Sequence, residues 1–389
     1  MLVQQKSIND FIEQNENEIF NLLKKIVNTD SYSRDREGVN RVAALLKQGL
    51  DEFSIPYVTR EQEQFGDHII ATLKGTRPGK ILLMGHMDTV HTPGTVKDRP
   101  YTENGNIAFG PGLSDMKAGL VSILYAAGAV KNASLDLPDI EILYTPDEEI
   151  GSPTSRAIIE ERAKDAMAVF NLESGRADGS VVTARKGSAH LSFEIEGKAS
   201  HSGLFIEEGI SANDELACKM VELRKLMDME RGITINVGTI SGGVNTNVVS
   251  PHASATLHVG FWRIEDYKET EEKIKKIIDT SYIKGTKATL SGSISFQPME
   301  KHEGVAAMYD LVKKAGESLG IEVTEEATKG AADAGFPAAL GIPTICGMGP
   351  VGGKWHSKDE YMEIDSYIPR IQLLANSIVL AADHFSDSK

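Results

Sequence analysis

Seven side chains in this chain have the types and the local spacing to act as one polar centre: His86, Asp88, Asp115, Glu148, Glu149, Glu173 and His356. In Gly85-His86-Met87-Asp88 the histidine and aspartate stand two residues apart, so in extended chain they point to one side. Asp88 can then hold one ring nitrogen of His86 while the other is left for a metal ion. Asp147-Glu148-Glu149 places three acids in a row, which repel one another unless cations or protons intervene. Adjacent residues point in different directions, so one glutamate can ligate a metal while its neighbour reaches a bound water. Asp115 follows Gly110-Pro111-Gly112-Leu113-Ser114 and opens an apolar helical pattern, where peptide dipoles favour a carboxylate. Each piece also has a plain structural explanation: a strand-end histidine tied to an acid, an N-capping aspartate, a solvated acidic loop. Together, His86, Asp115, Glu149, Glu173 and His356 offer two imidazoles and three carboxylates. That set suits two zinc ions, with one carboxylate bridging and an open position on each ion for water. Three carboxylates and one hydroxide balance the two dications, and Co2+ or Mn2+ is compatible with the same donors.

The elements that must bring these residues together read as alternating strands and helices. Ile81-Leu82-Leu83-Met84 is an apolar run without polar alternation, the pattern of a strand buried on both faces of a sheet. His86 stands at its carboxyl end, where open α/β sheets carry their chemistry. Runs at 68–73, 140–144, 168–170 and 342–346 predict further strands. The acids 147–149 follow the second of these, Glu173 follows the third, and His356 lies beyond a glycine-rich loop after the last. Apolar spacing predicts helices from Ser7, over 39–53, over 116–130 and over 366–385. Between Arg185 and Gln297 the grammar changes to strand, helix, strand, strand, helix, strand, the split βαβ arrangement of a ferredoxin-like domain. The chain is therefore expected to be an α/β protein with a mixed sheet flanked by helices. Residues 1–184 and 298–389 form the catalytic domain, interrupted by an inserted α+β domain at 185–297.

At 389 residues the chain can bury a core that needs no disulfide or metal staple. A formal net charge of −15, with no stripe of Lys and Arg, argues against nucleic acid or an anionic membrane as partner. Of the two cysteines, Cys218 falls in a helical pattern and Cys346 in an apolar run, so core packing is expected and a reducing compartment is permitted. Residues 1–7 hold no apolar leader and no uninterrupted apolar run is long enough to span a bilayer, which predicts a soluble, cytoplasmic protein. His68 and His91 lack a nearby partner pattern and read as structural.

Six segments, in order, resemble those of the di-zinc metallopeptidase family of aminoacylase, acetylornithine deacetylase and glutamate carboxypeptidase. They are Gly85-His86-Met87-Asp88, the run Gly110 to Lys117, Asp147 to Gly151, Gly197-Lys198-Ala199-Ser200-His201-Ser202-Gly203, Asn247-Val248-Val249 and His356-Ser357. The likeness runs nearly end to end and is closest to the glutamate carboxypeptidase type. It implies a zinc-peptidase-like catalytic domain with an inserted dimerisation domain. It implies His86 and Glu173 on one zinc, Glu149 and His356 on the other, Asp115 between them, and a cis peptide after that aspartate. Glu148 is implied as general base and Asp88 as the residue orienting His86. His201 is implied as a donor to the tetrahedral oxyanion, reaching across a homodimer interface, and Asn247 and Gly330 as substrate contacts. The implied activity is hydrolysis of an amide bond by a metal-bridging hydroxide: a carboxypeptidase-type exopeptidase acting on small peptides or acylated amino acids, or alternatively an N-acyl amino-acid deacylase.

One departure bears on substrate. Carboxypeptidase-type relatives carry an arginine on the strand running here from Ala253, where it grips the terminal carboxylate; that position holds Trp262, with Arg263 beside it. A shift of one residue turns a strand side chain to the other face, so Arg263 enters only as a candidate and the substrate class stays open. Gly347-Met348-Gly349-Pro350-Val351-Gly352 has the spacing of a dinucleotide-binding loop, but Pro350 and Lys354-Trp355-His356 do not open the helix that a pyrophosphate requires. A non-catalytic binding protein of the same fold is disfavoured by the presence of Glu148 and all five donors.

Overall fold

The computed structural model describes residues 2–386, which fall into two compact units. One comprises Met1–Ala184, Lys301–Thr328 and Phe336–Lys389; the other comprises Arg185–Glu300 with the short return Lys329–Gly335.

The first unit is built on a mixed sheet. Strands β1 (Tyr57–Arg60), β2 (His68–Leu73), β3 (Lys80–His86), β4 (Asp139–Thr145) and β5 (Ala168–Asn171) lie in the order β1-β2-β4-β3-β5, and the short strand Thr344–Ile345 completes the far edge. β1 with β2 and β2 with β4 are antiparallel, whereas β4 with β3, β3 with β5 and β5 with Thr344–Ile345 are parallel. Three parallel neighbours end side by side, with His86 opposite Thr145 and Met84 opposite Asn171. Neighbouring strands are about 4.8 Å apart, so whatever follows Thr145 and Asn171 emerges next to His86. From Ile81 to His86 every residue of β3 is buried, as the unbroken apolar run requires.

The helix Ala118–Asn132 is buried at every residue from Ala118 to Val130 and packs against the helices Leu2–Gln14 and Ile364–Ser386. A helix apolar all round belongs in an interior. Truncating Leu120 there would cost about 2–5 kcal/mol. With the turn before it, Leu113–Asn132 is long and apolar enough to cross a membrane by length and composition, although Asp115 and Lys117 interrupt the apolar run; its apolarity is used in the core, where 94% of its 18-residue apolar window is buried.

Two helices differ from their expected form. The N-terminal pattern is two helices, Leu2–Gln14 and Glu16–Val27, broken at Asn15, whose amide side chain bonds the carbonyl of Phe11 at 2.8 Å. The pattern beginning at Met116 becomes an α-helix only at Ala118. Asp115 (φ −121°, ψ 88°) and Met116 (φ −131°, ψ 40°) lie in a turn before it, joined by a cis peptide bond. Asp115 is therefore not an N-cap. The turn is held against β3 because Gly85 has no side chain: a Cβ there would stand 2.4 Å from Met116 Cε.

The second unit has strands β6 (Gly187–Glu196), β7 (Thr234–Gly242), β8 (His252–Phe261) and β9 (Lys287–Phe296) in the antiparallel order β7-β8-β6-β9. Helices Ala212–Arg224 and Ile264–Asp279 supply the split βαβ order. Leu191, Phe193 and Ile195 of β6 and Ala253, Ala255 and Leu257 of β8 enter one core with Leu216, Leu223, Ile274 and Ile278. This is the two-residue alternation of a sheet covered on one face.

Candidate metal centre

All five expected donors lie in the first unit, and the fold brings them together. His86 ends β3, Glu149 lies in the turn Glu148–Ile150 after β4, Glu173 lies two residues past β5, Asp115 sits in the turn before the core helix, and His356 lies on the loop following Gly352–Gly353. His86 Nε2 stands 3.3 Å from Asp115 Oδ1 and 3.6 Å from Glu173 Oε1. His356 Nε2 stands 3.2 Å from Asp115 Oδ2 and 3.0 Å from Glu149 Oε2. Asp115 thus turns one oxygen to each histidine.

These separations fit metal ions. Donors sharing one tetrahedral ion at about 2.0–2.2 Å stand roughly 3.3–3.6 Å from one another. His86 Nε2 and Glu149 Oε1 are buried without a hydrogen-bond partner among the described residues, which marks donor atoms aimed at something other than protein. The electrostatics agree. Burial, then the Asp115 charge, pushes the Glu149 carboxyl up to about 7. Hydrogen bonds to Asp115 and Glu149 raise His356 to about 10. Burial opposes charge on His86, yet Asp115 and Asp88 hold it well above the ordinary histidine range. Asp115 likewise stays below the carboxylate range, because His356 and His86 outweigh its burial. Three crowded carboxylates facing two imidazoles form a donor set whose charge cations would balance.

Asp88 acts differently from the simple picture of a carboxylate on His86. The nearest acceptor to His86 Nδ1 is the backbone carbonyl of Asp88 at 3.0 Å, with carboxylate Oδ1 at 3.4 Å. The Asp88 side chain takes the backbone N–H groups of Glu148 (3.1 Å) and Glu149 (3.2 Å) and the hydroxyl of Ser33 (2.7 Å). One residue therefore registers β3 against the acidic turn. The three consecutive acids avoid mutual repulsion by diverging. Asp147 accepts Thr154 N–H at 2.8 Å, Thr154 Oγ1 at 2.6 Å and the Ser155 hydroxyl, while Glu149 faces His356. Ser33, Thr154 and Ser155 are too far off in sequence, or too ordinary in type, to be singled out beforehand.

The glycine run at 347–352 serves packing. Gly349 N–H donates to Glu173 O at 2.8 Å, and a Cβ on Gly349 would lie 2.9 Å from the carbonyls of Leu172 and Glu173. Buried Arg370 binds the carbonyls of Gly349 at 2.8 Å, Gly179 at 3.1 Å and Gly347. This strap holds the Glu173 loop.

The remaining candidates lie in the second unit. His201 and Asn247 are neighbours: Ser202 N–H donates to Asn247 O at 3.0 Å, and both residues are exposed. His201 Nδ1 accepts the N–H groups of Gly203 and Leu204, each at 3.2 Å. Gly330 is exposed and its carbonyl takes Arg185 Nη1 at 3.1 Å. Arg263 precedes the helix Ile264–Asp279 and is 65% exposed, with Nε 3.9 Å from Glu300 Oε2.

Residues 82–379 match the model of peptidase family M20/M25/M40. Carboxypeptidase G2 of Pseudomonas sp. (strain RS-16) is 31% identical over 378 residues, 93% of this chain and 88% of that protein. Among solved structures, aminopeptidase PepT from Bacillus cereus ATCC 10987 superposes with a TM-score of 0.78 at 22% identity, covering 95% of this chain and 99% of that one. YXEP of Bacillus subtilis, described as a dinuclear metal-binding peptidase, superposes with a TM-score of 0.70 at 14% identity, covering 95% and 99%. The matched span runs from within β3 to the last helix and contains all five donors, and the chain is a hydrolase belonging to peptidase family M20/M25/M40.

Proposed function

We propose that this protein is a zinc-dependent exopeptidase of the carboxypeptidase type, acting on small peptides or acylated amino acids with two zinc ions per subunit. The division of Asp115 between two histidine–glutamate pairs carries this assignment. Similarity to carboxypeptidase G2 over 93% of the chain supports the carboxypeptidase choice. His86 and Glu173 would hold one ion, Glu149 and His356 the other, and Asp115 both. When bound, the pair polarises a carbonyl and lowers the pKa of a water.

The chain's own residues do the rest. The Asp88 carbonyl takes the Nδ1 proton of His86 and leaves Nε2 to ligate. Glu148, buried and adjacent to a ligand, with its N–H held by Asp88, takes a proton from the attacking water and returns it to the leaving nitrogen. With Nδ1 of His201 accepting two backbone N–H groups, Nε2 carries the proton and can donate to an oxyanion. We assign His201 to the site of a partner subunit in a homodimer. Exposed Leu204, Phe205 and Ile206 beside it, and Val221, Ile240 and Val244 around the unpaired edge of β7, support an interface on this unit. Asn247 and the backbone of Gly330 contact substrate in this assignment. Arg263, exposed and 3.9 Å from Glu300 Oε2, is assigned no substrate contact. A chain of 389 residues with only two cysteines, Cys218 and Cys346, suits the cytoplasm.

Kinetics on dipeptides with free and amidated carboxyl termini, alongside N-acetyl amino acids, test the assignment. Turnover of the free-carboxyl substrates and loss on amidation is expected; faster turnover of the amidated peptides contradicts a carboxypeptidase.

A further inference from the structure

Glu360 lies four residues past His356 and is 2% exposed, so its carboxylate needs partners. It has four donors. Oε1 accepts the backbone N–H groups of Ser114 at 2.9 Å and Asp115 at 3.1 Å. Oε2 accepts the N–H of Gly112 at 3.0 Å and lies 3.2 Å from His91 Nε2. Arg99 Nη2 stands 3.3 Å from His91 Nδ1, and an arginine can only donate. His91 therefore accepts at Nδ1 and carries its proton on Nε2, where it donates to Glu360. Arg99 Nη1 also reaches the carbonyl of Ser357 at 3.4 Å.

The two segments joined here are those least determined by regular structure. Asp115 sits in a non-helical turn. Lys354 (φ 57°) and His356 (φ 60°) are both left-handed, a conformation that residues with side chains hold only when their surroundings impose it. His356 is 55% exposed, so packing alone does not fix it.

We propose that Glu360 is a positioning residue: it locks the Asp115 turn to the loop bearing His356 and so sets the Asp115–His356 donor pair, with His91 and Arg99 holding it in place. This rests on the two-metal assignment. The consequence is selective. Both positions share Asp115, but the one formed by His356 and Glu149 depends on Glu360 for the loop of His356 as well, whereas the other keeps His86 and Glu173, which are placed by β3 and β5.

Glu360→Gln keeps the shape but turns an NH2 group toward backbone N–H donors. The test is Co2+ titration of chelator-stripped protein, read by bound metal and by visible absorption. The parent should bind two ions. Glu360→Gln should bind the first ion within about three-fold of the parent and the second about 10- to 100-fold more weakly, with an altered spectrum for that second equivalent. Unchanged binding of both ions, or equal weakening of both, overturns the proposal; so does equal weakening accompanied by a lower melting temperature, which marks a purely structural residue. If Glu360→Gln does not fold, Arg99→Met, which leaves Glu360 in place, should weaken the second ion by a few-fold, and no change there is equally contrary. A parent that binds fewer than two ions refutes the two-metal assignment itself, and this proposal with it.

Discussion

The two units treat their polar residues in opposite ways. In the first, five donors and Glu148 come from five separate stretches of chain and are fixed by adjacent parallel strand ends, by Asp88 and by the glycine strap, so that His86, Asp115, Glu149 and Glu173 are largely withdrawn from water. In the second, His201 and Asn247 sit together but exposed on loops of a sheet whose polar face and β7 edge are uncovered within that unit. A buried cluster is finished by its own chain. An exposed imidazole with one nitrogen fixed and the other presented is a part offered to something else, here proposed to be a partner's substrate.

Substitutions can break or sharpen this contrast. Glu148→Gln should keep both metals while lowering kcat by about 10²–10⁴-fold, as measured by turnover and metal content; retained turnover removes the general base from the first unit. His201→Ala should lower kcat by about 10²–10³-fold with metal content intact. Mixed dimers of His201→Ala and Glu148→Gln subunits should recover part of the activity, because one of the two sites then has both groups; absence of recovery denies sharing.

The buried network behind the acidic turn gives a smaller effect, on stability. Burial lowers His68 to about 4, against the ordinary 6.5, while its ring nitrogens face Ser155 Oγ at 3.2 Å and Gln62 at 3.4 Å. Between these values the unfolded chain takes up a proton that the folded chain refuses, so stability falls as pH drops from 6.5 toward 4, by on the order of 3 kcal/mol at most. Denaturant melts at pH 7 and pH 4.5 should show a shallower acid loss in His68→Gln than in the parent. The smallest effect belongs to Arg263→Ala, since its side chain is exposed and weakly paired: KM should change by less than about two-fold, and a rise of about ten-fold or more would restore Arg263 as a substrate contact.

Much of the first unit was legible because strand ends announce themselves. The apolar run before His86, and those before Glu149 and Glu173, mark buried strands, and three acids after such a strand have few innocent explanations. What was hidden is the support. Glu360 lies in Ser357-Lys358-Asp359-Glu360, which reads as a solvated charged run until the fold turns it inward. His91 has no partner pattern because its partners are distant in sequence or of another kind, Glu360 and Arg99. Apolar spacing continues through a turn as readily as through a helix, so periodicity missed the turn at Asp115, although the family resemblance implied the cis peptide found after it. In the second unit the element order was readable from alternation, whereas the placement of Arg263 depended on where β8 ends, at Phe261.

Anomalous diffraction at the zinc edge from crystals of the zinc-loaded protein tests the central claim most directly. Two peaks per chain are predicted, one against His86 and Glu173 and one against His356 and Glu149, with an Asp115 oxygen on each. A single peak, or peaks away from Asp115, would contradict the account.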